Sequence, residues 1–517
     1  MKKITILQTS DIHGSIYPLN YGNNEKADVG LGKIATKIKQ ERALDEQLIL
    51  VDNGDLIQGT PLTYFYVRFL KNENNPMISL LNHLSYEAAV IGNHEFNYGL
   101  DVLDCAVHES NFPWLSANII AANTGNPYFG NPYIIKMINS VKIAILGVTT
   151  HYIPNWESEQ NIAGLNFKDC LQETKKWVAY IRDKERPDVV IVSYHGGFER
   201  DLETGEPTEN LTGENQGYAI CHEVEGIDVL LTGHQHRSLT GNINGVEIVQ
   251  PSNNGKMMGK VTLTLNAQNE IINKTSELLR IDDLEADQEI LKLTSDLEAQ
   301  TQKWLDQPIG KIEGDMLITD SLSVRTCEHP AIEFINKVQM QVAGVDISNT
   351  SLFNNLSPGF RTNVTMRDII SNYIFPNTLK VLCLNGQDIR DALEQSASYF
   401  TLNETGALEV NPAFIYPKPQ HYNYDMWEGI EYILDIRNPI GKRVTTLTYK
   451  GDPIHLDGKY HVVMNNYRAG GGGNFTMFKD KPVIKDIPMD MTEILTTYIL
   501  DRQTVKATVN HNWKVIW

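Results

Sequence analysis

At 517 residues the chain exceeds the roughly 250–300 residues at which a single hydrophobic core stops growing, so two domains are expected. A net charge of −19 with no strongly basic run excludes a broad grip on polymeric nucleic acid, which needs a basic face. No stretch approaches the roughly 20 apolar residues of a membrane span, so no membrane partner is expected, and the five cysteines, with no Cys-x-x-Cys pair, read as reduced, mostly buried thiols.

In chain order, residues 4–9 form an apolar, β-branched run that reads as a buried parallel strand, and Asp11-Ile12-His13 follows. The pattern recurs. Residues 48–51 lead into Gly54-Asp55, the shorter run 88–91 into Gly92-Asn93-His94-Glu95, residues 189–193 into Tyr194-His195-Gly196-Gly197, and residues 229–232 into Gly233-His234-Gln235-His236. Strands of one sheet that all end in metal-binding residue types place those residues along its carboxyl edge, where open α/β sheets put their sites. Taken singly these segments are ordinary: an Asp-x-His is more often a turn with a satisfied histidine, and Gly-Asn is common turn chemistry. Five in succession, with glycines supplying tight turns, define one metal site.

Seven candidate ligands, Asp11, His13, Asp55, Asn93, His195, His234 and His236, are too many for one ion. A two-ion site needs a carboxylate that bridges ions about 3.5 to 4 Å apart. Asp55 is the expected bridge, since the turn after its strand can present both oxygens. Asp11, His13 and His236 then complete one position, and Asn93, His195 and His234 the other. These donors suit two divalent ions drawn from Mn, Zn, Fe, Co or Ni.

Lys2 and Lys3 resemble the start of a signal peptide, but only Ile4, Ile6 and Leu7 follow before Gln8, and cleavage beyond Asp11 would destroy the site. A cytoplasmic protein is expected, or an exported one if a leader has been removed. A monomer or an oligomer of unknown size is expected, since the sequence does not give the oligomeric state.

Further along, residues 260–265 read as the last strand of the first domain. Residues 284–305 carry Ile290, Leu291, Leu293, Leu297 and Trp304 at helical spacing, with no glycine or proline before Pro308. The expected organisation is a domain over 1–275, a linker helix over 276–308 and a second domain over 309–517. That second domain mixes a helix at 331–342 with strands at 378–384 and 430–435. Phe375, ahead of Pro376, and Tyr467, beside the glycines at 470–473, are two rings on separate loops that could sandwich a base. No Lys-Ser/Thr follows those glycines, so they do not read as a phosphate loop.

Together these motifs resemble the calcineurin-type metallophosphoesterases. The longer stretches Asn53-Gly54-Asp55-Leu56-Ile57-Gln58-Gly59 and Gly92-Asn93-His94-Glu95-Phe96-Asn97-Tyr98-Gly99, with Phe375-Pro376-Asn377-Thr378 and Asn465-Asn466-Tyr467-Arg468-Ala469-Gly470, are similar to the 5'-nucleotidase family. Within that family they resemble the bacterial 2',3'-cyclic-nucleotide 2'-phosphodiesterase/3'-nucleotidases. The resemblance implies an α/β protein: a metallophosphoesterase β-sandwich flanked by helices, a linker helix, and an α+β nucleotide-recognition domain. It implies Phe375 and Tyr467 as base-stacking rings and Asn377 as a base contact. His94, next to Asn93, is left to face the substrate and to bond a phosphoryl oxygen or protonate the leaving group.

Three departures bear on the substrate. Asn97 stands where 5'-nucleotidases of the family have an aspartate that orients the histidine, and the cyclic-phosphodiesterase branch carries asparagine there. The family's Gly-Gly-x-Ile-Arg phosphate grip has no counterpart in Asn354-Asn355-Leu356-Ser357-Pro358-Gly359-Phe360-Arg361, and the Asn-Gly-Gly-Asp near the second ring is replaced by the glycines at 470–473. Arg361 and Arg468 are candidate phosphate or ribose contacts, with solvated surface arginines the plainer account. The expected function is hydrolysis of small nucleotide phosphoesters, 2',3'-cyclic and 3'-nucleotides first. The alternatives are a 5'-nucleotidase or UDP-sugar pyrophosphatase and, from a different class, a non-catalytic nucleotide-binding protein.

Overall fold

The strands expected before each ligand segment are all present, but they belong to two sheets, not one. The computed structural model describes residues 1–517 except Asn210 and Pro376, and divides into the units Met1–Thr301 and Gln302–Trp517. Pro376, read above as shaping the backbone at Phe375, thus lies outside the described residues.

In the first unit, β1 (Lys2–Thr9), β2 (Ile49–Asp52), β3 (Ala88–Val90) and β4 (Trp114–Leu115) run parallel. The second sheet holds β5 (Tyr133–Ile138), β6 (Val141–Thr149), β7 (Val189–His195), β8 (Val229–Thr232), β9 (Ser238–Ile243) and β10 (Val246–Pro251), in the order β9-β10-β8-β7-β6-β5. Antiparallel β11 (Met257–Leu265) and β12 (Ile271–Arg280) complete the first sheet beside β1.

Alternation along the strands explains the sandwich. Ile143 and Ile145 of β6 and Val189 and Ile191 of β7 pack with Ile4, Ile6, Ile49 and Val51 of the first sheet. The intervening Ala144, Leu146, Val190 and Val192 face the other way, onto Val178 and Ile181 of α1 (Cys170–Lys184). Both faces of β6 and β7 are therefore covered, which is why their sequences read as continuous apolar runs. A single one-sheet edge and two facing edges leave the same strand signature, so the strand runs alone read as one sheet; the two sheets found are the β-sandwich that the family resemblance implies.

The expected linker helix is two helices, α2 (Gln288–Leu293) and α3 (Ser295–Leu305). Between them Thr294 leaves helical geometry (φ −119, ψ 10), and its hydroxyl donates to the Tyr17 hydroxyl at 3.2 Å. Strand β12 also runs past residue 275, and the division between units falls inside α3.

In the second unit, α4 (Pro330–Ala343) starts with Pro330 at its first position, after His329 accepts from the Ala331 amide, and ends on Gly344 in the left-handed region. Strands β13 (Ile347–Ser351), β14 (Leu379–Asn385), β15 (Asp425–Glu428), β16 (Glu431–Asp435), β17 (Val444–Tyr449), β18 (Lys459–Asn465), β19 (Val483–Ile487) and β20 (Trp513–Ile516) form its two main sheets. One has the order β15-β13-β18-β14-β19; the other contains β17-β16-β20. Trp427, Tyr432, Tyr399 and Trp513 are central to their shared core.

Of the cysteines, only Cys170 and Cys221 are fully buried; Cys105 and Cys327 are exposed, Cys383 is intermediate, and all five are free thiols. The expectation of mostly buried thiols is corrected accordingly: Cys105 lies on an outward-facing helix turn and Cys327 in a surface loop. Among the described residues no helix is long and apolar enough to cross a membrane.

Candidate metal centre

Five of the seven expected ligands sit on left-handed backbone just past a strand end: Asp11 (φ 53), His13 (φ 50), Asp55 (φ 56), His234 (φ 64) and His236 (φ 58). Only a few per cent of non-glycine residues do so, with Asp, Asn and His enriched. In Asp11-Ile12-His13 and His234-Gln235-His236 this geometry turns both outer side chains into the site, whereas an extended strand continuing at those positions would carry the backbone past it.

The side chains gather into two groups. Asp11, His13 and His236 bring ligand atoms within 4.8 Å of one another, and so do Asp55, His195 and His234. In the first group His13 Nε2 lies 3.1 Å from His236 Nε2, and His236 Nε2 lies 3.4 Å from Asp11 Oδ1. In the second, Asn93 Oδ1 is 3.1 Å from His195 Nε2 and 2.8 Å from His234 Nδ1. Asp55 Oδ2 joins the groups, 3.3 Å from His195 Nε2 and 3.9 Å from His13 Nε2. The structure thus brings all seven residues together. It also corrects one detail: Asp55 does not present both oxygens, because Oδ1 accepts the His94 amide at 2.8 Å, leaving Oδ2 alone to face both groups.

Hydrogen bonding on the far side of three of the four rings fixes their tautomers. His195 Nδ1 faces the Asn53 carbonyl at 2.6 Å and must donate to it; His13 Nδ1 faces the Gln58 carbonyl at 3.1 Å; His234 Nε2 faces Glu214 Oε1 at 2.9 Å. In the neutral rings the inward nitrogens are then lone pairs, aimed at one another and at carboxylate and amide oxygens. Acceptors facing acceptors need a cation between them, so this donor set fits divalent ions, and the outer partners are the usual second layer of a metal site.

The electrostatics agree. Burial alone would raise the Asp11 carboxyl, but the hydrogen bond and charge of His236 bring it down to about 2. Burial likewise opposes ionisation of Asp55, and the charges of His195 and His94 overcome it, holding Asp55 well below the usual carboxylate range. Burial would lower His195, but Asp55 outweighs it and lifts the ring to about 10; burial lowers His13 to about 3. The pocket around Asp55 Oδ2 is a negative field that requires positive charge.

Close backbone packing holds Asp55 in place. A Cβ on Gly92 would lie 2.4 Å from Asp55 Oδ1, so only glycine fits there. Glu95, fully buried, accepts from the amides of Asp55 (2.8 Å), Leu56 (2.6 Å) and Gly92 (2.7 Å), lacing the two ligand loops together.

His94 stands beside the centre, its ring 5.2 Å from that of His13 in edge-to-face contact. Its Nδ1 meets Asn97 Oδ1 at 2.6 Å, and Asn97 Nδ2 donates to Glu157 Oε2 at 2.6 Å. The ring of Trp156 stacks on His234 at 5.4 Å. Glu95, Trp156, Glu157 and Glu214 were all missed in the sequence. Glu95 had a signal, since it completes the Gly-Asn-His-Glu segment; the other three lie in loops without a motif.

In the second unit Phe375 and Tyr467 are both half-buried and both lean on a third ring, Tyr422, at 6.4 Å each. Phe375 also meets Phe353 edge-on at 5.5 Å. A Cβ on Gly472 would lie 2.6 Å from the Tyr467 ring, so that glycine lets the ring lie flat on its own loop. Asn377 is half-buried and its carbonyl accepts from the Met491 amide at 2.9 Å. The two arginines differ: Arg468, 2% exposed, is buried and pairs with Asp425 at 2.9 Å, which corrects the reading of a solvated side chain there, whereas Arg361 is a half-exposed surface arginine that pairs with Asp368 at 2.7 Å.

Two facing sheets that deliver these donors around one carboxylate oxygen define a calcineurin-like metallophosphoesterase. The calcineurin-like phosphoesterase family matches residues 4–238, and the 5'-nucleotidase C-terminal domain family matches residues 308–480. A solved candidate 5'-nucleotidase from Staphylococcus aureus, in complex with alpha-ketoglutarate, is 33% identical, with 99% of this chain and 100% of that chain covered and a TM-score of 0.93. The trifunctional nucleotide phosphoesterase protein YfkN of Bacillus subtilis is 28% identical over 99% of this chain, which spans 39% of that relative's length. A 2',3'-cyclic-nucleotide 2'-phosphodiesterase/3'-nucleotidase of Haemophilus influenzae is 27% identical, with 99% of this chain and 87% of the relative covered. The chain belongs to the 5'-nucleotidase family of calcineurin-like metallophosphoesterases, and it is a hydrolase acting on phosphoric ester bonds.

Proposed function

We propose that this chain hydrolyses nucleotide phosphoesters at a dinuclear centre, with 2',3'-cyclic nucleotides and 3'-nucleotides as preferred substrates. The observation that carries the preference is the fate of the two arginines available for gripping a terminal 5'-phosphate. Both are engaged by carboxylates of their own unit, Arg468 in a buried pair with Asp425 and the half-exposed Arg361 with Asp368. The names of the Bacillus and Haemophilus relatives support the same reading. A 5'-nucleotidase or UDP-sugar pyrophosphatase is the second reading, favoured by the Staphylococcus aureus structure. Against a non-catalytic nucleotide-binding protein stands the complete donor set.

Asp11, His13, His236 and Asp55 would hold one divalent ion, and Asp55, Asn93, His195 and His234 the other. Bound there, such ions lower the pKa of a water and offset charge on the phosphoryl oxygens. The chain's own residues do the rest. Because Nδ1 of His94 is held by Asn97, Nε2 is the atom that meets the substrate. From there it donates to a phosphoryl oxygen or passes its proton to the leaving ribose oxygen. Asn97 cannot supply charge, but Glu157 places a carboxylate one hydrogen bond behind it.

A panel of 2',3'-cyclic AMP, 3'-AMP, 5'-AMP and UDP-glucose, with Mn and Zn each supplied, tests the proposal. Higher kcat/KM on the first two supports it, and 5'-AMP or UDP-glucose ahead of both overturns the preference. Glu157→Ala is expected to lower kcat about 10- to 100-fold, the usual cost of losing an orienting partner. Unchanged kcat would remove Glu157 from the relay.

The second unit is proposed to hold the nucleoside through Phe375, Tyr467 and Asn377. Base–aromatic stacking contributes about 1–3 kcal/mol, so Tyr467→Ala should raise KM for nucleotides by about one to two orders of magnitude. p-Nitrophenyl phosphate, which has no base, should be turned over as before. An equal loss on both substrates would show that Tyr467 supports the fold.

A further inference from the structure

Of the three rings gathered in the second unit, one is set differently from the other two. Phe375 and Tyr467 each stand 6.4 Å from Tyr422, at interplanar angles of 77° and 74°. A base lying parallel to either of them is therefore nearly perpendicular to Tyr422, and shows it an edge, not a face. Held midway between two rings about 3.5 Å away on each side, such a base has its centre about 5 Å from that of Tyr422, within the roughly 4.5–7 Å of edge contacts between rings. We propose that Tyr422 is the base-selecting residue of this site, touching the rim of the base that Phe375 and Tyr467 stack. This role rests on their stacking of the base and adds selection to it.

Faces and rims carry different information. Stacking tolerates any base because every base has a π face. Around the rim each base has its own pattern of donors, acceptors and apolar hydrogens. A residue held against the rim thus separates bases that two stacking rings treat alike.

Tyr422 is held for such a contact. It is the middle residue of a single turn, His421–Asn423, and both of its neighbours are anchored. Asn355 Nδ2 donates to His421 Nε2 at 3.1 Å, so His421 Nδ1 donates to the Tyr399 hydroxyl at 2.7 Å. On the other side the buried Arg468 donates from Nη2 to the Tyr422 carbonyl at 2.8 Å, and from Nη1 to Asn423 Oδ1 at 3.4 Å and to the Gly472 carbonyl. One guanidinium therefore fixes the Tyr422 turn against the Tyr467 loop. A Cβ on Gly473 would lie 1.9 Å from Asn423 Oδ1, so glycine is what lets the two approach. Tyr424, two positions on, is buried in the core, whereas Tyr422 keeps a half-buried ring. A ring with two torsions on a braced turn gives up little side-chain entropy when it meets a ligand.

The test assays full-length protein on the adenine, guanine, cytosine and uracil forms of whichever nucleotide class the substrate panel ranks first. In the wild type, kcat/KM should differ about threefold or more between best and worst base, the scale of one edge contact, and Tyr422→Ala should collapse that spread. Tyr422→Leu, which keeps bulk in case alanine loosens the turn, should collapse it too, while Tyr422→Phe, which keeps the ring, should retain it. Tyr467→Ala should lower all four alike and preserve their order, which is also what mere structural weakening at Tyr422 would do. If the Tyr422→Ala and Tyr422→Leu variants, folded by Tm, keep the wild-type spread, or if the wild type has none, selection by Tyr422 is overturned while stacking stands. If Tyr467→Ala leaves every base form unaffected, the stacking reading itself fails and the selection falls with it.

Discussion

Asp55→Asn is expected to abolish turnover, by about 10³-fold or more, and to release at least one of the two metals, because a shared dinuclear charge is worth several kcal/mol. The geometry leaves asparagine no orientation that both offers an oxygen to the two metal positions and keeps the His94 bond. Oδ1 of Asp55 holds the His94 amide, and Oδ2 faces the inward nitrogens of His195 and His13. With its oxygen on the His94 side, asparagine turns toward the metal positions an NH2 group, which bonds the imidazole lone pairs in place of a cation and cannot itself ligate one; flipped, it sets NH2 against the His94 N–H. Either way the negative charge between the two groups is gone. Elemental analysis and turnover decide it: wild-type metal content together with wild-type activity would rule out Asp55 as the bridge.

His94→Ala should behave differently, slowing turnover about 10²- to 10⁴-fold while both metals stay. The link between His94 and the centre is its backbone N–H, which donates to Asp55, and alanine keeps that group. What alanine removes is the ring, with Nδ1 on Asn97 and Nε2 directed to the substrate. If metal is lost in this variant, His94 is a ligand and its assignment to the leaving group fails.

The seven residues that the structure gathers were legible in sequence because each lies at a strand end or within a few positions after one. Their division into two groups was legible as well, since the number of donors exceeds what one ion accepts. What stayed hidden depends on contacts between distant segments. Glu157 and Glu214 complete histidine relays from loops without periodicity or motif, and Asp425 neutralises Arg468 from 43 positions away. Whether Asp55 offers one oxygen or two depends on where the His94 amide lands, which no local pattern encodes. The break at Thr294 was missed because helical spacing continues across it, and only the contact with Tyr17 reveals the reason.

The left-handed backbone at Asp11, His13, Asp55, His234 and His236 has a consequence for how this protein could change. Non-glycine residues in that region carry a conformational cost of order 1–3 kcal/mol each, which surrounding structure or bound ions must offset. Selection for catalysis and selection for stability therefore pull in opposite directions at these five positions. A lineage that gave up hydrolysis would gain by replacing them with glycine, relaxing the loops while leaving the sandwich intact. Asp and His at all five positions thus carry a backbone cost that glycine would avoid, set against the donor atoms that glycine lacks.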